Sequence, residues 1–190
     1  MELMQRSGSH PIGPEGMRTL AVLIGFSVAT LGCASGVFAG PRSAVDDATA
    51  VERKQCGPSI DEASLAPLLT GQAIEGVEPA YLAAAPSGSH GAGGTYKRLA
   101  GAVFSVRALK GVSAEWLDRA LECHSARRIL GRVPASESPT DPFWVPGKLV
   151  DIDVKSTGPG FAVSVCSVDI AEAQEILKRA QVFFDATRPK

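Results

Sequence analysis

An α+β fold is expected for residues 98–190. It is a small βαββα sandwich, a three-stranded sheet with two helices on one face, and three observations predict it. Side chains alternate with the period of a strand at three places, most cleanly over residues 150–155. Two other stretches carry apolar residues at helical spacing, each with a good cap at its start. The resulting order is strand, helix, hairpin, helix, in which each apolar face has another to bury against.

The first strand is read from Ala102, Phe104, Val106 and Ala108, which alternate with Val103, Ser105, Arg107 and Leu109; Lys110-Gly111 breaks the pattern. Ser113 then caps a helix running to about Leu130, with Glu115 in its first turn and Arg127 and Arg128 in its last, as the helix dipole favours. Trp116, Leu117, Ala120, Leu121 and His124 share a stripe, with Cys123 on its flank, while Asp118, Glu122 and Ser125 fall opposite. Residues 131–147 (GRVPASESPTDPFWVPG) lack any period and read as a long loop that Phe143 and Trp144 pin to the body.

The hairpin follows. Residues 150–155 alternate, Gly158-Pro159-Gly160 turns the chain, and Phe161, Val163 and Val165 alternate with Ala162, Ser164 and Cys166. A loop over 157–160 sets Val154 opposite Val163 and Ile152 opposite Val165 on the core face, and Cys166 opposite Asp151 and Ser164 opposite Asp153 on the other. Asp169 and Glu172 then form a capping box for a last helix whose stripe is Ala173, Ile176, Leu177, Ala180, Phe183 and Phe184. Over about Ala100 to Phe184 this order resembles a ferredoxin-like fold lacking its last strand, with a segment around Glu78 to Leu82 as the candidate for the missing edge. The resemblance implies no activity.

Ahead of this domain, residues 1–39 read as an N-terminal extension and secretory signal peptide: Arg18 is followed by the apolar run Leu20–Leu31 and a small-residue exit at Ala39. Translation from Met17 would give a more ordinary charged start than Met1. Cleavage after Ala39 is expected; lipidation at Cys33 and an uncleaved anchor are the alternatives. The chain is therefore expected to be exported, periplasmic or secreted, and to meet a membrane only through that segment. Residues 40–97, rich in Ala, Gly, Pro and Ser, read as a flexible segment, with at most a short helix near residues 61–69 that Pro67 limits.

Charge excludes one class of partner. Residues 98–190 carry thirteen basic and eleven acidic side chains, too even a balance for a nucleic-acid footprint. After the signal, Cys56, Cys123 and Cys166 remain, so one bridge at most forms within the mature chain; the pairing stays open, with Cys56 expected to stand apart from the domain. No CxxC pair exists, which argues against thioredoxin-like redox chemistry and a tetrathiolate zinc site.

The candidate metal ligands are Cys123, His124 and Cys166, since thiolate and imidazole suit copper or zinc. Adjacent helix positions point about 100° apart, and Cys166 falls on the far sheet face, so the plainer reading of Cys123-His124 is a core histidine beside a small buried cysteine. A catalytic thiol at Cys123 or Cys166 needs a base that the strand assignment does not supply. Asp151 and Asp153 share one face, as paired carboxylates would, and as polar residues of a solvated face would too. His90 lies in a Gly/Ser stretch that organises nothing alone. No dinucleotide fingerprint, P-loop, HExxH, GxSxG or EF-hand loop is present. The expectation is a non-enzymatic exported binding or interaction protein of the cell envelope, recruiting an envelope protein through an exposed sheet face or edge strand. The alternative is a metal-handling protein for copper or zinc; the sequence requires no cofactor.

Overall fold

The computed structural model describes residues 43–84, 96–133 and 141–188. The expected signal segment, Cys33 and His90 lie outside the described residues. In chain order the elements are α1 (Ala44–Gln55), a 3-10 turn (Glu62–Leu65), α2 (Ala66–Leu69), β1 (Ile74–Ala84), β2 (Tyr96–Arg107), α3 (Ala114–Ile129), β3 (Asp151–Ser156), β4 (Gly160–Cys166) and α4 (Ile170–Thr187). The strands form one antiparallel sheet in the order β1-β2-β4-β3.

The class is α+β, but the sheet has four strands, not three. The added edge is β1, which runs antiparallel to β2 and contains the segment from Glu78 to Leu82. The expectation of a flexible 40–97 segment is corrected with it, since 43–84 carries α1, the 3-10 turn, α2 and β1. Composition misled because it does not register position: Ile60, Leu65, Leu68, Ala73 and Ile74 are buried in the main core, while Val45 and Tyr81 stay exposed. Backbone pairing to β2, which composition does not register, holds the rest. Pro67 is the second residue of α2 and does not end a helix, standing in the first turn where a missing N–H costs nothing.

The hairpin register is as the alternation required, Ile152 facing Val165 and Val154 facing Val163, with Asp151 opposite Cys166 and Asp153 opposite Ser164. Ala102, Phe104, Val106, Phe161, Val163, Val165 and Ile152 form the sheet's contribution to the core, met by Leu117 and Leu121 of α3 and Ile176, Ala180 and Phe183 of α4. A register shift opposite Ala80 and Tyr81 marks a bulge in β2 at Ala100. It turns Ala100 to the other face, where it joins Ala80 and Cys166 in a second small cluster.

Both α3 and α4 have the predicted caps. Ser113 Oγ accepts the Trp116 N–H at 3.2 Å, and Asp169 accepts the Glu172 N–H at 2.9 Å. The return arm of the second box runs through Ser167, whose hydroxyl accepts the Asp169 N–H and donates to Glu172. The surroundings of α3 differ from the simple amphipathic expectation. Ser125, placed on its outer side, is fully buried, as are Cys123 and Ala126. α1 lies against α3 and forms a second layer outside the sheet-facing one.

That layer is tied down covalently. Cys56, at the end of α1, is disulfide-bonded to Cys123 in the middle of α3, with 5.2 Å between their Cα atoms. The expectation that Cys56 stands apart is therefore corrected: α1 needs a fixed seat on α3, and Cys56 supplies it.

Candidate functional site

The site is assembled where α3 meets the chain that leads from α1 to β1. His124 and Arg128 lie one helical turn apart on α3 and so project from one face. Both are buried, at 3% and 8% exposure, and neither side chain is apolar, so each needs partners. Asp141 is the shared one. Its Oδ2 lies 2.7 Å from His124 Nε2 and 3.5 Å from Arg128 Nε, and its Oδ1 accepts the N–H of Phe143 at 2.9 Å.

Core packing holds this carboxylate in place. Phe143 is fully buried with its ring 5.0 Å from that of Phe104, tilted by 45°. Two residues before such an anchor, Asp141 bends back on the backbone in an Asx turn and cannot drift from the helix. The next residue, Trp144, lies under the Arg128 guanidinium, 4.5 Å from ring centroid to carbon. Phe143 and Trp144 thus pin the loop, and in doing so they position an ion pair.

These groups form one wall of a cavity of about 320 Å³. His124, Arg128, Asp141 and Val133 stand on that side; Glu62, Ala63, Ala66, Leu69 and Thr70 stand opposite. The two walls are held together by three ties: the Cys56–Cys123 bridge, an ion pair from Arg127 to Glu62, and a hydrogen bond from Trp116 Nε1 to the Ser59 carbonyl at 3.2 Å. The residues that line the second wall all belong to the stretch that composition assigned to a flexible segment.

Hydrogen-bond accounting sets the chemistry of the imidazole. Asp141 accepts from N–H groups on both oxygens, so His124 Nε2 carries a proton toward it. The same carboxylate also faces the guanidinium of Arg128. Nδ1 is buried, and no protein group among the described residues bonds to it.

The predicted ligand set is not brought together. Cys123 Sγ is bonded to Cys56, His124 Nε2 faces Asp141, and Cys166 lies on the opposite sheet face in the second cluster, itself disulfide-bonded. Among the described residues no three His, Cys, Asp or Glu side chains converge on one point. Nor is the second sheet face open over β4, where Ala162, Ser164 and Cys166 are all buried. The edge strands are guarded: Pro79 takes one N–H donor out of β1, and Asp118 accepts the Val154 N–H of β3 at 3.1 Å.

Asp151 and Asp153 do share a face, and α3 brings Asp118 and Glu122 toward them. Burial, first, pushes the carboxyls of Asp118 and Glu122 above the ordinary carboxylate range. Asp153 adds to the shift of Asp118, and Asp118 and Asp151 add to that of Glu122. Asp151 keeps exposed surface, yet packing around its carboxyl raises it too, followed by Asp153 and Asp118.

Sequence reasoning placed His124 on the buried stripe but missed Asp141 and the pocket role of Arg128. The available signal was Asp-Pro-Phe at 141–143, a turn former directly before a core anchor. The fold and site define an α+β domain carrying a helix-lined cavity with a buried His–Asp–Arg cluster. No protein-family model matches the chain, and no curated protein or solved structure matches it either. No helix among the described residues is long and apolar enough to cross a membrane.

Proposed function

We propose that this chain is an exported binding module of the cell envelope, not an enzyme, and that its ligand sits in the cavity between α2 and α3. The observation that carries the reading is a cavity of about 320 Å³, within the size range of small-molecule sites, whose wall includes the buried side chains of His124, Arg128 and Asp141. Mostly apolar walls with a few fixed polar groups are the usual composition of such sites.

Export is supported by the Cys56–Cys123 bridge, because disulfides persist in oxidising compartments. Binding, in preference to nucleophilic catalysis, is supported by Thr70. It is the hydroxyl in the cavity wall, and it donates to the Ala66 carbonyl at 2.7 Å instead of pairing with His124.

A fragment screen by NMR on the isotopically labelled protein tests the reading. Shifts should cluster on Ala63, Leu69, His124 and Val133 and disappear in Ala66→Trp, which blocks the cavity from an exposed position. Shifts scattered over the surface, or unchanged by Ala66→Trp, would refute it.

A further inference from the structure

We infer that the cavity takes an uncharged apolar ligand, an aromatic or alkyl body held by shape, and discriminates against cations and anions alike. The inference rests on the reading of the cavity as the ligand site and adds the charge class of what enters it. Charged and hydroxyl side chains do stand in the wall, yet each is already engaged with a neighbour.

At the rim, the Glu62 carboxylate is ion-paired with Arg127 of α3. Thr70 is exposed there too, and its hydroxyl donates to the Ala66 carbonyl at 2.7 Å, back into α2. Deeper in, His124, Arg128 and Asp141 are buried and meet at Asp141 Oδ2. The Arg128 guanidinium also lies over Trp144, and Asp141 Oδ1 holds the Phe143 N–H. The remaining described wall residues, Ala63, Ala66, Leu69 and Val133, are aliphatic.

Glu62 with Arg127 and Asp141 with Arg128 thus each match one acid to one base. An ion entering between these pairs gives up water and meets no uncommitted counter-charge among the described residues, so its burial is unfavourable. An apolar body carries no such penalty and gains from the surface it removes from water.

Toluene, benzylamine and benzoate share a ring and differ in charge. Each is titrated into protein with ¹³C-labelled methyl groups while Ala63, Ala66, Leu69 and Val133 are followed by NMR. Toluene is expected to shift these methyls saturably. Benzylamine and benzoate should bind at least about tenfold more weakly, because neither finds a partner for its charge. Either ion matching or exceeding toluene at these methyls would overturn the charge rule and leave the cavity reading intact. No response of the methyls to any of the three would overturn both.

Two variants test the ion pair as the reason. Arg127→Met, at a side chain 31% exposed, releases the Glu62 carboxylate, and benzylamine should then gain several-fold relative to toluene. Glu62→Gln removes a carboxylate that is already committed, so that ratio should stay as in the parent. A ratio unchanged by Arg127→Met, or one lowered by Glu62→Gln, would also overturn the inference.

Discussion

Cys56 and Cys123 join the last residue of the α1 region to the centre of α3 across 67 residues of sequence. The bridge fastens the outer helical layer to the layer that packs on the sheet, and the cavity opens just beyond it. Every residue of the second cavity wall, from Glu62 to Thr70, lies inside the loop it closes.

Reduction of this bridge should therefore cost both stability and binding. Opening a loop of this length is expected to destabilise the chain by roughly 4 kcal/mol on a chain-entropy basis. Urea unfolding of Cys56→Ser/Cys123→Ser against the parent measures the loss, and a midpoint shift within error of zero would contradict it.

Asp141 holds three groups at once: His124, Arg128 and the Phe143 backbone. Replacing it by Ala leaves a buried imidazole and a buried N–H without their acceptor and weakens the compensation of a guanidinium. We expect a loss of about 3 kcal/mol or more, larger than for Asp141→Asn, which retains an acceptor oxygen. Thermal and urea denaturation of the two variants give the comparison.

The carboxyls of Asp118 and Glu122 are raised in the folded chain, chiefly by burial, with Asp153 adding to the shift of Asp118 and Asp118 and Asp151 adding to that of Glu122. A carboxyl held above its unfolded value binds protons on folding. Its contribution is therefore favourable when protonated and is lost as pH rises through the folded pKa. Stability should increase on moving from neutral pH down into the upper carboxylate range, and Glu122→Gln should both raise stability at neutral pH and flatten that dependence. Urea midpoints at about pH 5.5 and 7.5 check the sign.

Gly101 sits at φ 149° in the β2 bulge, and a Cβ there would overlap the Val165 carbonyl oxygen of β4. Since that oxygen belongs to a central strand, the clash cannot be relieved by a side-chain rotation. Gly101→Ala is expected to lower stability by more than about 2 kcal/mol. Gly111→Ala also has a positive φ (77°) but meets no atom within 4 Å and should cost less, which the pair of unfolding midpoints checks.

Local pattern carried the hairpin, α3 and α4 because each is specified by neighbours in sequence. Alternation fixes which side chains share a strand face, a turn of set length fixes register, and Ser113 and Asp169 cap with groups three residues away. β1 was barely visible since its partner, β2, satisfies its backbone, and Pro79, Glu75 and Glu78 give it an unstrandlike composition. Ser125 looked like an exposed helix position, yet it is fully buried, two turns from Asp118 on the side of α3 from which Asp118 reaches the Val154 N–H of β3.

The same division applies to the site. His124 and Arg128 were legible as residues one turn apart on α3, and that spacing alone gives them a common face. Their chemistry was not legible. It depends on a carboxylate brought back by the packing of Phe143 on Phe104, and on a second wall held by a disulfide between distant cysteines. Hydrogen bonds within a few residues are written into the chain order. Contacts that close long loops are selected by the burial of the whole core, and here those contacts turn a core histidine into the floor of a cavity.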